Sequence, residues 1–139
     1  MRVFVYYVGK ARDQHANAIA AEFLKRTSRW AKCEMREVNP RRTGFWEQHP
    51  TAAFVLLDPS GERWDSAAFA VRIRSWEDES RDAVFVLGGH DGLPPEWSSR
   101  ATILLSLSPL TFPHELARAM LAEQIYRAFA TLRGHPYPR

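Results

Sequence analysis

Residues 106–118 read SLSPLTFPHELAR, a serine-rich segment that separates a strand-like run from a long helix. The run Thr102 to Leu107 has the apolar pattern of a buried strand. Pro113 suits the first turn of a helix, which continues to Arg133 and stops at Gly134 followed by Pro136. This part of the chain is therefore predicted to be a strand, a loop and a helix.

The same alternation extends back to the first residues of the chain. Further strand-like runs cover Val3 to Val8, Glu34 to Val38, Ala52 to Leu57 and Ala83 to Leu87. Helical segments are expected at about Asn17 to Arg26, as one turn between Gly44 and Thr51, at about Ala67 to Trp76 behind Asp65-Ser66, and from Pro94-Pro95 to about Arg100. Since parallel strands need crossover connections, the pattern predicts an α/β domain over residues 1–139, a mostly parallel sheet with helices on both faces.

Composition excludes several classes of protein. The chain has 139 residues, and 19 basic against 16 acidic side chains give a net charge of +3. With 45% hydrophobic residues it is expected to fold without disulfide bonds, and Cys33 is the single cysteine. The five histidines have no metal-ligand spacing, and no stretch approaches 18 apolar residues. We therefore expect a cytoplasmic protein with no metal and no membrane contact.

Three loops that follow strand-like runs have an unusual composition. Leu57 to Gly61 and Leu87 to Gly92 are rich in glycine and turn residues, and Leu105 to Phe112 is rich in serine. Glycine lets a ligand touch the backbone, and serine segments present amides and hydroxyls, so the loops are suited to an adenosine. Each loop taken alone is more typical of a tight turn. The chain has neither a GxGxxG motif nor a GxxxxGK[ST] phosphate loop.

Together with the stretches 121–128 and 133–139, these loops and residues 106–118 closely resemble the ribosomal RNA large-subunit methyltransferase H family. That family is a minimal branch of the trefoil-knotted SPOUT methyltransferases. The resemblance spans nearly the whole chain and is densest from Ala83 onward. It implies a deep trefoil knot over about residues 83–139, which pattern reasoning alone would reject because knots are nearly absent from other folds.

The resemblance also implies a cofactor, a substrate and an assembly. The cofactor is S-adenosylmethionine, and the reaction is methylation of N3 of a pseudouridine in 23S rRNA by a homodimer acting on the assembled ribosome. The matching cofactor positions are Leu57, Gly88, Leu107, Ser108, Pro109, Leu110, Thr111 and Phe112.

Basic residues on and after the last helix are candidates for contacts with RNA. Arg118, Arg127, Arg133 and Arg139 could meet phosphates, and Tyr137 could stack on a base. Arg139, Tyr137 and Arg118 are our candidates for catalytic roles. His114 could shuttle a proton or simply lie at the helix start.

Two departures from the family pattern leave alternatives open. Residues 41–50 replace a longer segment, and Pro138 stands where relatives have a histidine. The loss of that imidazole favours, as an alternative, a ribosome-associated protein that binds S-adenosylmethionine but transfers methyl groups weakly or not at all. A small flavodoxin-like or nucleotide-binding module is a third possibility, resting on fold analogy.

Overall fold

The computed structural model describes residues 1–42 and 44–137 and contains a five-stranded sheet. All four strand pairings are parallel, and the strand order is β2-β1-β4-β3-β5. The strands are β1 (Arg2–Val8), β2 (Lys32–Val38), β3 (Ala53–Arg63), β4 (Ala83–Leu87) and β5 (Ile103–Ser106). The predicted α/β class with a parallel sheet is confirmed.

Helices connect the strands and begin where the sequence offers suitable caps. They are α1 (Gln14–Thr27), α2 (Phe45–Gln48), α3 (Ser66–Asp78) and α4 (His114–Leu132), with a 3₁₀ helix at Pro95–Arg100. The Asp13 carboxylate accepts hydrogen bonds from two amides of α1, and the Asp65 carboxylate accepts one from Ala68 N. α4 follows Pro113 and ends before Gly134, whose φ of +67° suits glycine.

The two faces of the sheet are covered unequally. Val3, Val5 and Tyr7 pack with α1, α3 and α4 in the larger core cluster. The alternate residues Phe4 and Tyr6 face the smaller cluster, which includes aromatic side chains of α2 and the 3₁₀ helix. The short segment before β3 therefore provides one helical turn, and Phe45, Trp46 and Trp97 supply much of the apolar cover on that face.

The third strand is longer than its sequence pattern indicates. The pattern predicts a loop from Leu57 to Gly61, but β3 continues to Arg63. The register with β5 shifts between Leu57 and Glu62, so residues 58–61 form an irregularity inside the strand. A Cβ at Gly61 would lie 2.5 Å from the Leu104 carbonyl carbon, so this close approach to β5 requires glycine.

None of the helices in the described residues is long and apolar enough to cross a membrane. The predicted trefoil knot stays a prediction.

Candidate active site

A cavity of about 290 Å³ lies at the carboxyl ends of the strands, where the three unusual segments meet. Parallel sheets bind ligands at this edge, and the volume is at the lower end of the range for small-molecule sites. The lining residues are Leu57, Asp58, Pro59, Leu87, Gly88, Gly89, His90, Gly92, Leu107, Ser108, Leu110, Thr111, Phe112, His114 and Ala117.

The loop after β4 folds tightly back on itself. Gly92 N donates a hydrogen bond to Gly89 O at 3.0 Å, and Gly92 has a φ of +75°. A Cβ on Gly88 would lie 2.5 Å from the Gly92 carbonyl carbon. The turn therefore has no space for a side chain at residue 88, and the backbone itself forms this wall of the cavity.

Local hydrogen bonds fix the other two walls. Ser106 Oγ donates to Ser108 O at 3.1 Å, and Ser108 Oγ accepts from Leu110 N at 3.0 Å. On β3 the Asp58 carboxylate accepts from Ser60 N at 2.8 Å. Hydroxyl and carboxylate groups thus replace missing backbone partners in these irregular segments.

Seven of the eight predicted cofactor positions line this cavity, whereas Pro109 is exposed and does not. His114 and Ala117 line it too and lie outside the three predicted loops, although the position of their segment at this edge would have indicated them. A larger cavity of about 420 Å³ beside α3 and α4 contains only Leu107 of the predicted set.

The cavity is chemically suited to S-adenosylmethionine. Leucine side chains, among them Leu57, Leu87 and Leu107, provide apolar walls for an aromatic ring system. Ser108, Thr111 and the glycine backbone can form hydrogen bonds with polar groups of the ligand.

Arg118 differs from the expectation of a phosphate contact, because its side chain is fully buried. The guanidinium lies 3.8 Å from the centre of the Tyr7 ring, and Nη1 donates to Asn17 Oδ1 at 3.3 Å. In the described part of the chain, Nε and Nη2 have no hydrogen-bond partner. Burial lowers the pKa of Arg118, and Glu115 opposes that effect. Arg118 thus joins α4 to β1 and α1 in this structure.

Tyr137 and Arg127 meet at one carboxylate. The Tyr137 hydroxyl donates to Glu123 Oε2 at 2.6 Å, and Arg127 pairs with the same carboxylate. Burial opposes ionisation of Glu123, but the hydrogen bonds outweigh it and lower the pKa of this carboxyl. The Tyr137 ring packs 4.7 Å from the Tyr126 ring, centre to centre.

The two remaining candidate arginines have different outcomes. Arg133 pairs with Glu77 of α3, and Arg139 lies outside the described residues.

Comparisons with known proteins show the family to which the chain is similar. Residues 1–138 match the family model described as "Predicted SPOUT methyltransferase". The chain is 60% identical over 139 residues to the ribosomal RNA large subunit methyltransferase H of Solibacter usitatus, with all of both chains covered. It is 35% identical to the protein of the same name from Chromobacterium violaceum, covering 100% of this chain and 99% of that one.

Solved structures share the fold at low sequence identity. A probable methylase family protein from Haemophilus influenzae gives a TM-score of 0.65 at 10% identity, covering 99% of this chain and 70% of that one. The SpoU methyltransferase AviRb from Streptomyces viridochromogenes, solved with its cofactor AdoMet, gives a TM-score of 0.58 at 10% identity. That match covers 94% of this chain and 58% of that one.

Proposed function

The chain belongs to the SPOUT methyltransferase family, and from this premise we propose that it transfers a methyl group from S-adenosylmethionine to ribosomal RNA of the large subunit. The observation that carries the proposal is the cavity at the carboxyl edge, which gathers seven of the eight predicted cofactor positions. The full-length similarity to relatives named for this methylation supports the choice of RNA.

We further propose that the methylated atom is N3 of a pseudouridine in 23S rRNA, that the substrate is the assembled ribosome and that the enzyme is a homodimer. These finer statements rest on the family resemblance of the loops and the last helix. A small domain contacts few phosphates of one hairpin, so recognition is expected to need the folded ribosomal surface and to weaken with salt.

The protein's task in this reaction is mainly positioning. When bound, S-adenosylmethionine supplies an electrophilic methyl group on a sulfonium. The backbone of Gly88 and the hydroxyl-rich segment around Ser108 orient the cofactor, and Tyr137 stacks on the target base. Arg139 stabilises the anion that forms when the N3 proton leaves to water. Arg118 positions α4, which follows the serine-rich segment of the cavity.

Methyl incorporation tests the proposal. Assembled ribosomes, isolated large subunits and naked 23S rRNA, all from cells that lack this gene, are incubated with the protein and labelled S-adenosylmethionine. We expect modification of one pseudouridine by mass mapping, and the highest rate with ribosomes. Cofactor and ribosome binding without incorporation would support the alternative of a binding protein that has lost methyl transfer.

Variants of the C-terminal residues Pro138 and Arg139 test how the N3 proton is removed. If positioning dominates, Arg139→Ala loses far more single-turnover activity than Pro138→His gains. General acid–base catalysis typically contributes on the order of 10²–10⁴-fold. A gain of that size from Pro138→His, together with an active Arg139→Ala variant, would instead identify the missing imidazole as the base.

A further inference from the structure

The described arginines of α4 and its C-cap form ion pairs within the protein. Arg118 pairs with Glu115, Arg127 with Glu123 and Arg133 with Glu77. An arginine that binds a phosphate would have to leave its carboxylate, which offsets much of the electrostatic gain. An RNA substrate therefore needs cations elsewhere on the surface.

Four exposed cations lie on two neighbouring loops at the carboxyl edge of the sheet. Lys10 and Arg12 follow β1, and Arg41 and Arg42 follow β2, which is the neighbour of β1. We call these four side chains the basic strip. Within residues 1–42 and 44–137 none of them forms an ion pair, so their charges are available to a partner.

The basic strip begins at the rim of the cofactor cavity. β4 pairs with the other side of β1, and a Cβ on Gly89 would lie 2.9 Å from Val8 O. The end of β1 therefore touches the glycine loop that lines the cavity. With neighbouring strands about 4.8 Å apart, the strip extends from this rim by roughly two strand spacings.

Carboxylate and amide groups fix the backbone that carries these cations. Glu115, in the first turn of α4, accepts hydrogen bonds from the amides of Arg12 and Asp13 and from the Asn17 side chain. The contact with Arg12 N is the largest cause of the lowered pKa of Glu115. Asn39 Oδ1 accepts a hydrogen bond from Arg41 N at 2.9 Å, which fixes the turn after β2. Fixed loops reduce the ordering cost of binding.

We propose that the basic strip binds backbone phosphates of the RNA that carries the target nucleotide and thereby directs that nucleotide to the cavity rim. This inference rests on the proposed function, because it takes ribosomal RNA as the substrate. The interaction is with phosphate rather than with base edges, so it adds affinity and register without sequence preference.

The test compares two double variants with a matched control. Lys10→Gln with Arg12→Gln removes the part of the strip nearest the cavity, and Arg41→Gln with Arg42→Gln removes the distant part. The control, Lys25→Gln with Lys32→Gln, removes two exposed charges at the opposite edge of the sheet, where α1 ends and β2 begins. Cofactor binding by calorimetry checks that each variant keeps its cavity.

Affinity for assembled ribosomes is measured as a function of salt. For single-stranded RNA, each lost phosphate contact reduces the magnitude of the slope of log K against log salt by about 0.7. Each strip variant lacks two cations, so its slope is expected to be smaller in magnitude by about 1.4. The control keeps the slope of the unmodified protein, and all variants keep their affinity for S-adenosylmethionine. Methyl transfer to ribosomes at subsaturating concentration falls in parallel with RNA affinity.

The outcomes separate this inference from the proposed function. Unchanged slopes and rates in both strip variants, or equal losses in the control, would overturn the basic strip while methylation by the unmodified protein stands. Reduced slopes in a protein that binds RNA but transfers no methyl group would support the strip and contradict the proposed function.

Discussion

The backbone at Gly88 forms one wall of the cavity and leaves no space for a side chain. The sequence suggests that glycine is needed because the cofactor approaches the backbone, and the structure adds a second reason. A Cβ at this residue would lie 2.5 Å from the carbonyl carbon of Gly92. Overpacking costs about 1–3 kcal/mol, so we expect Gly88→Ala to lose roughly fivefold to hundredfold or slightly more in affinity for S-adenosylmethionine, measured by calorimetry.

Gly44→Ala is the matched control, because Gly44 has ordinary helical backbone angles, and among the described residues beyond its chain neighbours no atom lies within 4 Å of the added carbon. This variant should bind the cofactor as the unmodified protein does. Full cofactor affinity in a folded Gly88→Ala variant would contradict the assignment of the glycine loop to the site.

His49 is expected to make the free energy of unfolding depend on pH. The Tyr6 hydroxyl accepts a hydrogen bond from Arg36 at 3.0 Å and forms another with His49 Nε2 at 2.7 Å. Burial, and then the charges of Arg2 and Arg36, lower the pKa of His49. A histidine with a lowered pKa takes up its proton mainly on unfolding, so the free energy of unfolding falls as the pH drops below about 6.5.

Denaturant unfolding between pH 5 and 8 measures this dependence. His49→Gln keeps a hydrogen-bonding partner for Tyr6 but does not titrate, so it should flatten the part of the profile below about pH 6.5. His15→Gln replaces an exposed histidine and should leave the profile unchanged. A profile equally steep in His49→Gln would show that the pH dependence arises elsewhere.

Among the elements, α4 holds the C-terminal segment in place through Glu123. Glu123→Gln weakens the bonds from Tyr137 and Arg127, and hydrogen bonds to charged groups contribute about 1.5–3 kcal/mol. We expect faster hydrogen exchange over residues 134–137 and on the order of tenfold slower single-turnover methyl transfer, with unchanged cofactor affinity.

Glu22→Gln provides the control for that variant. Glu22 pairs with Arg26 in the same i,i+4 arrangement, but both side chains are about half exposed on α1. Its removal should alter neither exchange nor methyl transfer. Unchanged exchange near Tyr137 in Glu123→Gln would contradict the anchoring role.

Elements can be predicted from sequence wherever local patterning decides them. The strand-like run Ala83–Leu87 and the cap Asp65 are located correctly, because burial on both faces and N-capping leave signals within a few residues. The continuation of β3 is not predicted, since Asp58 to Gly61 has turn chemistry and its pairing with β5 depends on residues some 40 positions away.

Some features of the site could likewise be predicted from the sequence, and others could not. The cavity walls could be predicted because the carboxyl ends of parallel strands meet at one edge. The burial of Arg118 and the pairing of Arg127 with Glu123 could not, because each depends on which helices and side chains pack around α4. Arg118 and Arg127 are nine residues apart and therefore lie about 180° apart around a continuous helix, but this spacing does not reveal their partners.

For the whole molecule, α1 and α4 pack against each other, and each of them carries an exposed large apolar side chain. Ile19 on α1 is 48% exposed and Leu116 in the first turn of α4 is 43% exposed. Apolar side chains on paired helices suit a self-complementary contact with a second copy of the chain. This agrees with the homodimer that the family resemblance implies.

The prediction about assembly uses Leu116 on α4 and, as its control, an exposed apolar residue on α3. We expect light scattering at micromolar concentration to give twice the 16.0 kDa mass of the chain. Leu116→Glu would introduce two carboxylates close together across a two-fold contact, which shifts the protein towards monomer. Val71→Glu on α3, where Val71 is 69% exposed, should remain dimeric. A monomeric unmodified protein would refute the dimer, and a dimeric Leu116→Glu variant would place the contact on another surface.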